Sequence, residues 1–127
     1  MYNTPSINEL IAAVQTFLTE TAGPGLEGHA KFQARIAANI LATVQRELEQ
    51  RPAAEAEEIK RLQDLLKNHQ TTDANALNTQ LSESIAKGDI TLATSGLLSH
   101  LKKTAIAQLN IDQPTYSGLR AALEDPE

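Results

Sequence analysis

The chain has no cysteine and no tryptophan. Without thiols there is no disulfide framework, no thiolate nucleophile and no cysteine-ligated zinc. Aromatic residues make up only 3% of the 127 residues, namely Tyr2, Phe17, Phe32 and Tyr116. That scarcity removes the stacking platform used by single-stranded nucleic-acid binders and leaves the core to Leu, Ile, Val and Ala. The net charge of -5 has the wrong sign for a phosphate backbone, so no nucleic-acid partner is expected. Apolar runs fall far short of the ~20 residues of a membrane span. Met1 is not followed by the basic-then-apolar pattern of a secretory signal. These absences point to a soluble, cytoplasmic domain with no membrane contact. The length suits a single domain, and 41% hydrophobic residues suffice for a packed aliphatic core.

What is present reads as helix throughout. Ile7, Leu10, Ile11, Val14, Phe17 and Leu18 follow a helical period, and Ser6 and Glu9 have capping-box spacing. The spacing predicts a first helix over about 7–21, stopped by Gly23-Pro24-Gly25. A second helix is expected over 29–50, where Phe32, Ile36, Ala37, Ile40, Leu41, Val44 and Leu48 occupy about half the circumference. A face that wide belongs to a central core helix. Arg51-Pro52 is expected to break it, with Pro52 in the first turn of a third helix over 53–68. A fourth is expected over 73–87 after the cap at Asp73 and before Gly88. The third and fourth carry narrow leucine stripes and read as a hairpin packed by one edge. Asp89-Ile90-Thr91-Leu92 has no strand to pair with and is a connection. A fifth helix over 95–110 presents Leu97, Leu98, Leu101, Ala105, Ile106 and Leu109. The tail, 111–127, has room for a short helix between Thr115 and Leu123. The expected fold is an all-α antiparallel bundle of about five helices with a short C-terminal tail helix.

Few residues suggest chemistry. Gly23-Pro24-Gly25-Leu26-Glu27-Gly28 has the opening spacing of a phosphate-binding P-loop, but His29-Ala30 stand where Lys and Ser or Thr are needed. The preceding element is a helix rather than a strand, so the string is a helix-to-helix turn. His29 projects onto the apolar face of the second helix, as does Glu47, and Lys102 projects onto that of the fifth. All three are candidate buried polar groups, with a Glu47–Lys102 ion pair to satisfy two of them. His29 and Glu47 are about 27 Å apart along a helix and cannot share a reacting centre. His69 and His100 stand isolated, and no metal-ligand spacing occurs. Glu57 and Arg61 have the spacing of a surface pair. Arg35, Asn39, Thr43 and Arg46 form a polar strip beside the apolar face. The strip is the candidate interaction surface. It can meet the tail near Asp112 and Tyr116, a second subunit, or an anionic ligand that the rigid arginine fork would grip. With no nucleophile elbow and no clustered acid pair, neither catalytic residues nor a cofactor are expected.

Three segments, "PSINELIAAVQTFL", "LEGHAKFQARIAANILATVQRELE" and "LLSHLKKTAIAQLNIDQPTYS", resemble a bacterial family of small all-helical domains of unknown function. The match covers roughly Pro5 to Ser117, most specifically F-x-x-R-I-A-A-N followed by R-E-L. Members of that family are commonly encoded beside kinases resembling aminoglycoside phosphotransferases and beside acyl-CoA dehydrogenases. The resemblance implies an accessory, non-catalytic role, with one of those neighbours as protein partner. A phosphotransferase activity is not expected of this chain itself, which lacks the kinase lysine and loops. The alternative is a bundle that binds an acyl chain or acyl-CoA, with Arg35 and Arg46 meeting the anionic head. Homodimerisation through the two narrow-striped helices is a further expectation.

Overall fold

The computed structural model describes residues 4–125, and among them every regular element is helical. There are five α-helices: α1 (Ile7–Thr16), α2 (Gly28–Leu66), α3 (Ala74–Lys87), α4 (Leu97–Asp112) and the short C-terminal α5 (Ser117–Glu124). A π-helical segment, Phe17–Ala22, and a 3-10 turn, Gly23–Gly25, join α1 to α2. The chain divides into two compact units, residues 1–50 and 51–127, and α2 runs from the first into the second.

The expected break at Arg51-Pro52 does not occur. Pro52 lies inside α2, a single helix of 39 residues. Proline costs a helix one N–H and crowds the carbonyl four residues back, here that of Leu48. Both Pro52 and Leu48 are exposed, so water can serve that carbonyl. Strong helix formers on both sides, Arg46-Glu47-Leu48-Glu49 and Ala53-Ala54-Glu55-Ala56, favour continuation. The boundary between the two units falls beside this missing bond.

Local capping explains the other ends. The Ser6 hydroxyl accepts from Glu9 N at 3.1 Å, and the Asp73 carboxylate accepts from Ala76 N at 3.1 Å. Gly88 closes α3 in the left-handed region at φ 81°. Between α2 and α3, Asn68 Oδ1 accepts from the amides of Gln70 and Thr71, and its amide group donates to Thr71 Oγ1 and Gln80 Oε1.

The narrow stripes, not the wide one, make the core. In the second unit Leu62, Leu77, Leu81, Ile90 and Leu97 are buried together, with Ile59, Leu65 and Leu66 packed around them. Complete burial of a leucine such as Leu62 or Leu77 is favourable by about 1.5–3 kcal/mol. The loop before α4 contributes Ile90 as a plug, and Ile111 and Leu119 are buried where α4 and α5 pack. In the first unit only Ala34 and Ala38 are buried among the described residues, although that unit holds the widest apolar face of the sequence. The expectation of a central core helix over 29–50 is therefore overturned: its large apolar side chains lie at the surface.

Candidate functional site

Three features stand out, and each lies within one unit. The first is a cleft of about 340 Å³ formed by the π segment and the start of α2. Its apolar wall is Leu18, Pro24, Ala34 and Ala38, and its polar edge is Lys31, Arg35 and Asn39. The π segment closes on a backbone bond from Gly23 N to Leu18 O. A Cβ on Gly23 would stand 2.6 Å from that carbonyl oxygen, so only glycine fits this wide turn. The glycine string thus shapes a cleft through backbone geometry rather than by cradling phosphate.

Half of the strip read from the sequence edges this cleft. Lys31, Arg35 and Asn39 recur at a four-residue spacing that keeps them on neighbouring turns of α2. Arg35 and Lys31 meet no carboxylate or other hydrogen-bond partner among the described residues. Thr43 and Arg46 are engaged along the helix itself: Thr43 Oγ1 donates to the Asn39 carbonyl at 3.2 Å and accepts from Arg46 Nη2 at 3.1 Å. In the tail, Asp112 accepts from Gln108 Nε2 at 2.6 Å, and the Tyr116 ring lies against Gly118.

The second feature is an apolar row about 100° around α2 from that strip. Phe32, Ile36, Ile40, Val44 and Leu48 are each between 38% and 57% exposed. In the same unit Ile7, Leu10, Val14 and Phe17 are exposed by half or more. Large apolar side chains exposed on successive turns of one helix are the kind of surface that marks an interaction site. His29, expected to be buried, is exposed, and its ring stacks on Phe32 with centroids 6.3 Å apart. The apolar face it projects onto is itself open, which is why burial does not follow. Glu47 and Lys102 are half-buried. The sequence suggests Glu47 as the partner of Lys102; the carboxylate that Lys102 Nζ meets is Asp125, at 3.5 Å.

The third feature was not legible as a site. In the second unit Arg61 Nε donates to His100 Nδ1 at 3.2 Å, and Arg61 Nη2 donates to Thr104 Oγ1 at 3.1 Å. The expected surface pair of Arg61 with Glu57 is replaced by Lys60–Glu57 at 3.3 Å. Among the described residues His100 is the buried polar one, and burial, followed by the nearby Arg61 charge, lowers its pKa. Glu58 pulls weakly in the other direction. His69, at the end of α2, faces Asp64 at 3.6 Å on the surface. The available signal was spacing: Leu97, His100, Thr104 and Ile111 share one face of α4, and its two aliphatic members are buried. The face expected for this helix is rotated accordingly, because Leu98 and Leu101 are exposed.

No group of three or more His, Asp or Glu side chains is placed to hold a metal ion among the described residues. None of the described helices is long and apolar enough to cross a membrane. Fold and site together define an all-helical domain with a small polar network, an open cleft and an uncovered apolar face. A family model for a domain of unknown function, DUF6285, matches residues 24–116, and the chain belongs to that family. No curated protein and no solved structure matches the chain.

Proposed function

We propose that this chain is a cytoplasmic, non-catalytic accessory domain that binds a protein partner through the apolar row of α2. The observation that carries the proposal is the exposure of Phe32, Ile36, Ile40, Val44 and Leu48 on successive turns of one helix. An apolar row of this spacing fits a groove or helix of complementary aliphatic shape. The sequence resemblance makes a kinase-like enzyme, or an acyl-CoA dehydrogenase, the partner to test. Mixing the purified chain with each in turn and measuring affinity by calorimetry is the direct experiment. Ile36→Asp and Ile40→Asp are expected to weaken the complex at least ~10-fold, the cost of losing a central contact. Self-association of the chain, abolished by the same substitutions, would instead assign the row to a second copy.

The cleft supports a second reading, a small acyl ligand with an anionic head. Its apolar wall suits a short chain, and Lys31 and Arg35 edge it with uncompensated charge. Arg46, which the sequence offered for the head group, is bonded to Thr43, so this reading rests on Lys31 and Arg35. A thermal-shift comparison of acyl-CoA, free CoA and a short fatty acid tests it. A ligand at a hundred times its Kd adds ~2.7 kcal/mol. Unchanged melting with all three would remove the reading.

A further inference from the structure

The apolar row of α2 has two flanks of different character. Side chains on an α-helix turn by about 100° per residue, so the residue before each member of the row marks one flank and the residue after it the other. The preceding flank is Lys31, Arg35, Asn39 and Thr43, and the following one is Gln33, Ala37, Leu41 and Gln45. The following flank is uncharged and, beyond Gln33, half-buried. The preceding flank opens with two cations, both exposed.

Those cations stand against the balance of the chain. Acids outnumber bases by 16 to 11 overall, yet residues 28–46 hold Lys31, Arg35 and Arg46 and no Asp or Glu. Arg46 is bonded to Thr43. Lys31 and Arg35 have no partner among the described residues, and Glu27, the acid nearest to Lys31 in sequence, does not pair with it. Their placement is also unfavourable to the helix itself. They stand four residues apart, a spacing at which like charges repel. The first turn of α2 holds Lys31 and no acid, although the helix dipole there favours negative charge. Carboxylates supplied from outside the helix relieve both effects. Near Leu48 the charges are mixed, with Arg46, Glu47, Glu49 and Arg51, so the positive field is confined to the Phe32–Ile36 end of the row.

We infer that the partner element docked on this row is an amphipathic helix whose apolar stripe is flanked on one side by carboxylates at i and i+4, which meet Lys31 and Arg35. The inference rests on the docking reading above and adds the charge of the partner. Carboxylates at that spacing repeat the rise of about 6 Å between Lys31 and Arg35, and the Arg35 fork can take one of them through two hydrogen bonds. Charge pairs beside an apolar contact select the partner and its orientation more than they add affinity. An anionic lipid surface also attracts helices with an apolar row and a basic flank. Such recognition uses clusters of about four to eight Lys or Arg, and the net charge of -5 opposes it here.

The test uses the full chain and fluorescence anisotropy with synthetic helical peptides. Three peptides share a leucine stripe and carry Glu, Gln or Lys at two flank positions, i and i+4; a fourth carries Glu beside an alanine stripe. The Glu peptide is expected to bind with a Kd of ~100 μM or tighter. It should bind about tenfold more tightly than the Lys peptide, with the Gln peptide between them. The alanine-stripe peptide and phosphatidylglycerol vesicles should both bind more weakly than the Glu peptide. Lys31→Glu/Arg35→Glu should reverse the order of the Glu and Lys peptides, and Lys31→Gln/Arg35→Gln, a milder change, should erase it. Lys87→Glu, at an exposed position of the other unit, should leave the order unchanged. Ile36→Asp/Ile40→Asp separates the two claims: weakened binding of every leucine-stripe peptide supports the row, whatever the flank charge does. The inference is overturned by equal affinity for the Glu and Lys peptides, or by no binding of the Glu peptide up to ~1 mM. It is overturned equally by an alanine-stripe peptide that matches the leucine one, or by tighter binding to the vesicles.

Discussion

Arg61 Nε donates to His100 Nδ1 at 3.2 Å, joining positions 39 residues apart in sequence through a partly buried contact. An arginine next to an imidazole is favourable only while the imidazole is neutral. Burial and the Arg61 charge both hold it so.

The pH consequence follows from the sign of that shift. The folded-state pKa of His100 lies below its ordinary value of 6.5. Above that value both folded and unfolded chains carry a neutral ring, and His100 makes no pH-dependent contribution. As pH falls below it, the unfolded chain takes up a proton that the folded chain refuses, so stability declines until the folded pKa is reached. Thermal melts at pH 7.5 and 5.5 should show a larger loss for the wild type than for His100→Asn, whose side-chain oxygen can still accept from Arg61. Equal losses would show that His100 is not the group responsible.

Gly23 and Gly25 make a matched pair. A Cβ at Gly23 meets the Leu18 carbonyl oxygen at 2.6 Å, whereas one at Gly25 meets nothing within 4 Å. Gly23→Ala should cost about 1–3 kcal/mol, as forced overpacking does. Gly25→Ala should be neutral or slightly stabilising through the unfolded chain. Urea denaturation of the two variants separates them.

Pro52 predicts a gain. Proline in a helix interior is about 3 kcal/mol less favourable than alanine. Pro52→Ala restores one N–H to a helix that already runs through this position, and should raise both helical circular dichroism and melting temperature. A fall in either would mean that the proline shapes the helix in a way the chain requires.

Burial should separate two leucine-sized residues. Leu77 is fully buried, and Ile40 is 57% exposed. Leu77→Ala should cost about 2–5 kcal/mol, the range for emptying a core site. Ile40→Ala in the isolated chain should cost far less. Chemical denaturation of both variants provides the comparison.

Helical character and most helix ends were legible because they depend on local chemistry. Ser6, Asp73 and Gly88 cap their helices through hydrogen bonds or backbone angles that neighbouring residues dictate. Pro52 was misjudged because its local penalty is outweighed by the helix formers around it. The apolar face over 29–50 was misplaced for a different reason. Periodicity reveals that a stripe is apolar but not what covers it, and most of α2's largest stripe is uncovered. His100 reads as isolated in the sequence because its partner, Arg61, lies on another helix, and because counting aliphatic residues favours Leu98 and Leu101 over the face where His100 and Thr104 sit. Of the polar strip, Arg35 and Asn39 do edge a cleft, but its opposite wall is made by a π segment that no capping or periodicity signal announced.

The docking row carries the central functional claim, and calorimetry with Ile36→Asp/Ile40→Asp tests it most directly. The account predicts that the wild-type chain binds the kinase-like enzyme or the acyl-CoA dehydrogenase at micromolar concentrations, and that the double variant folds normally but binds at least ~10-fold more weakly. No binding to either enzyme by the wild type, or equal affinity of the variant and wild type, would contradict it.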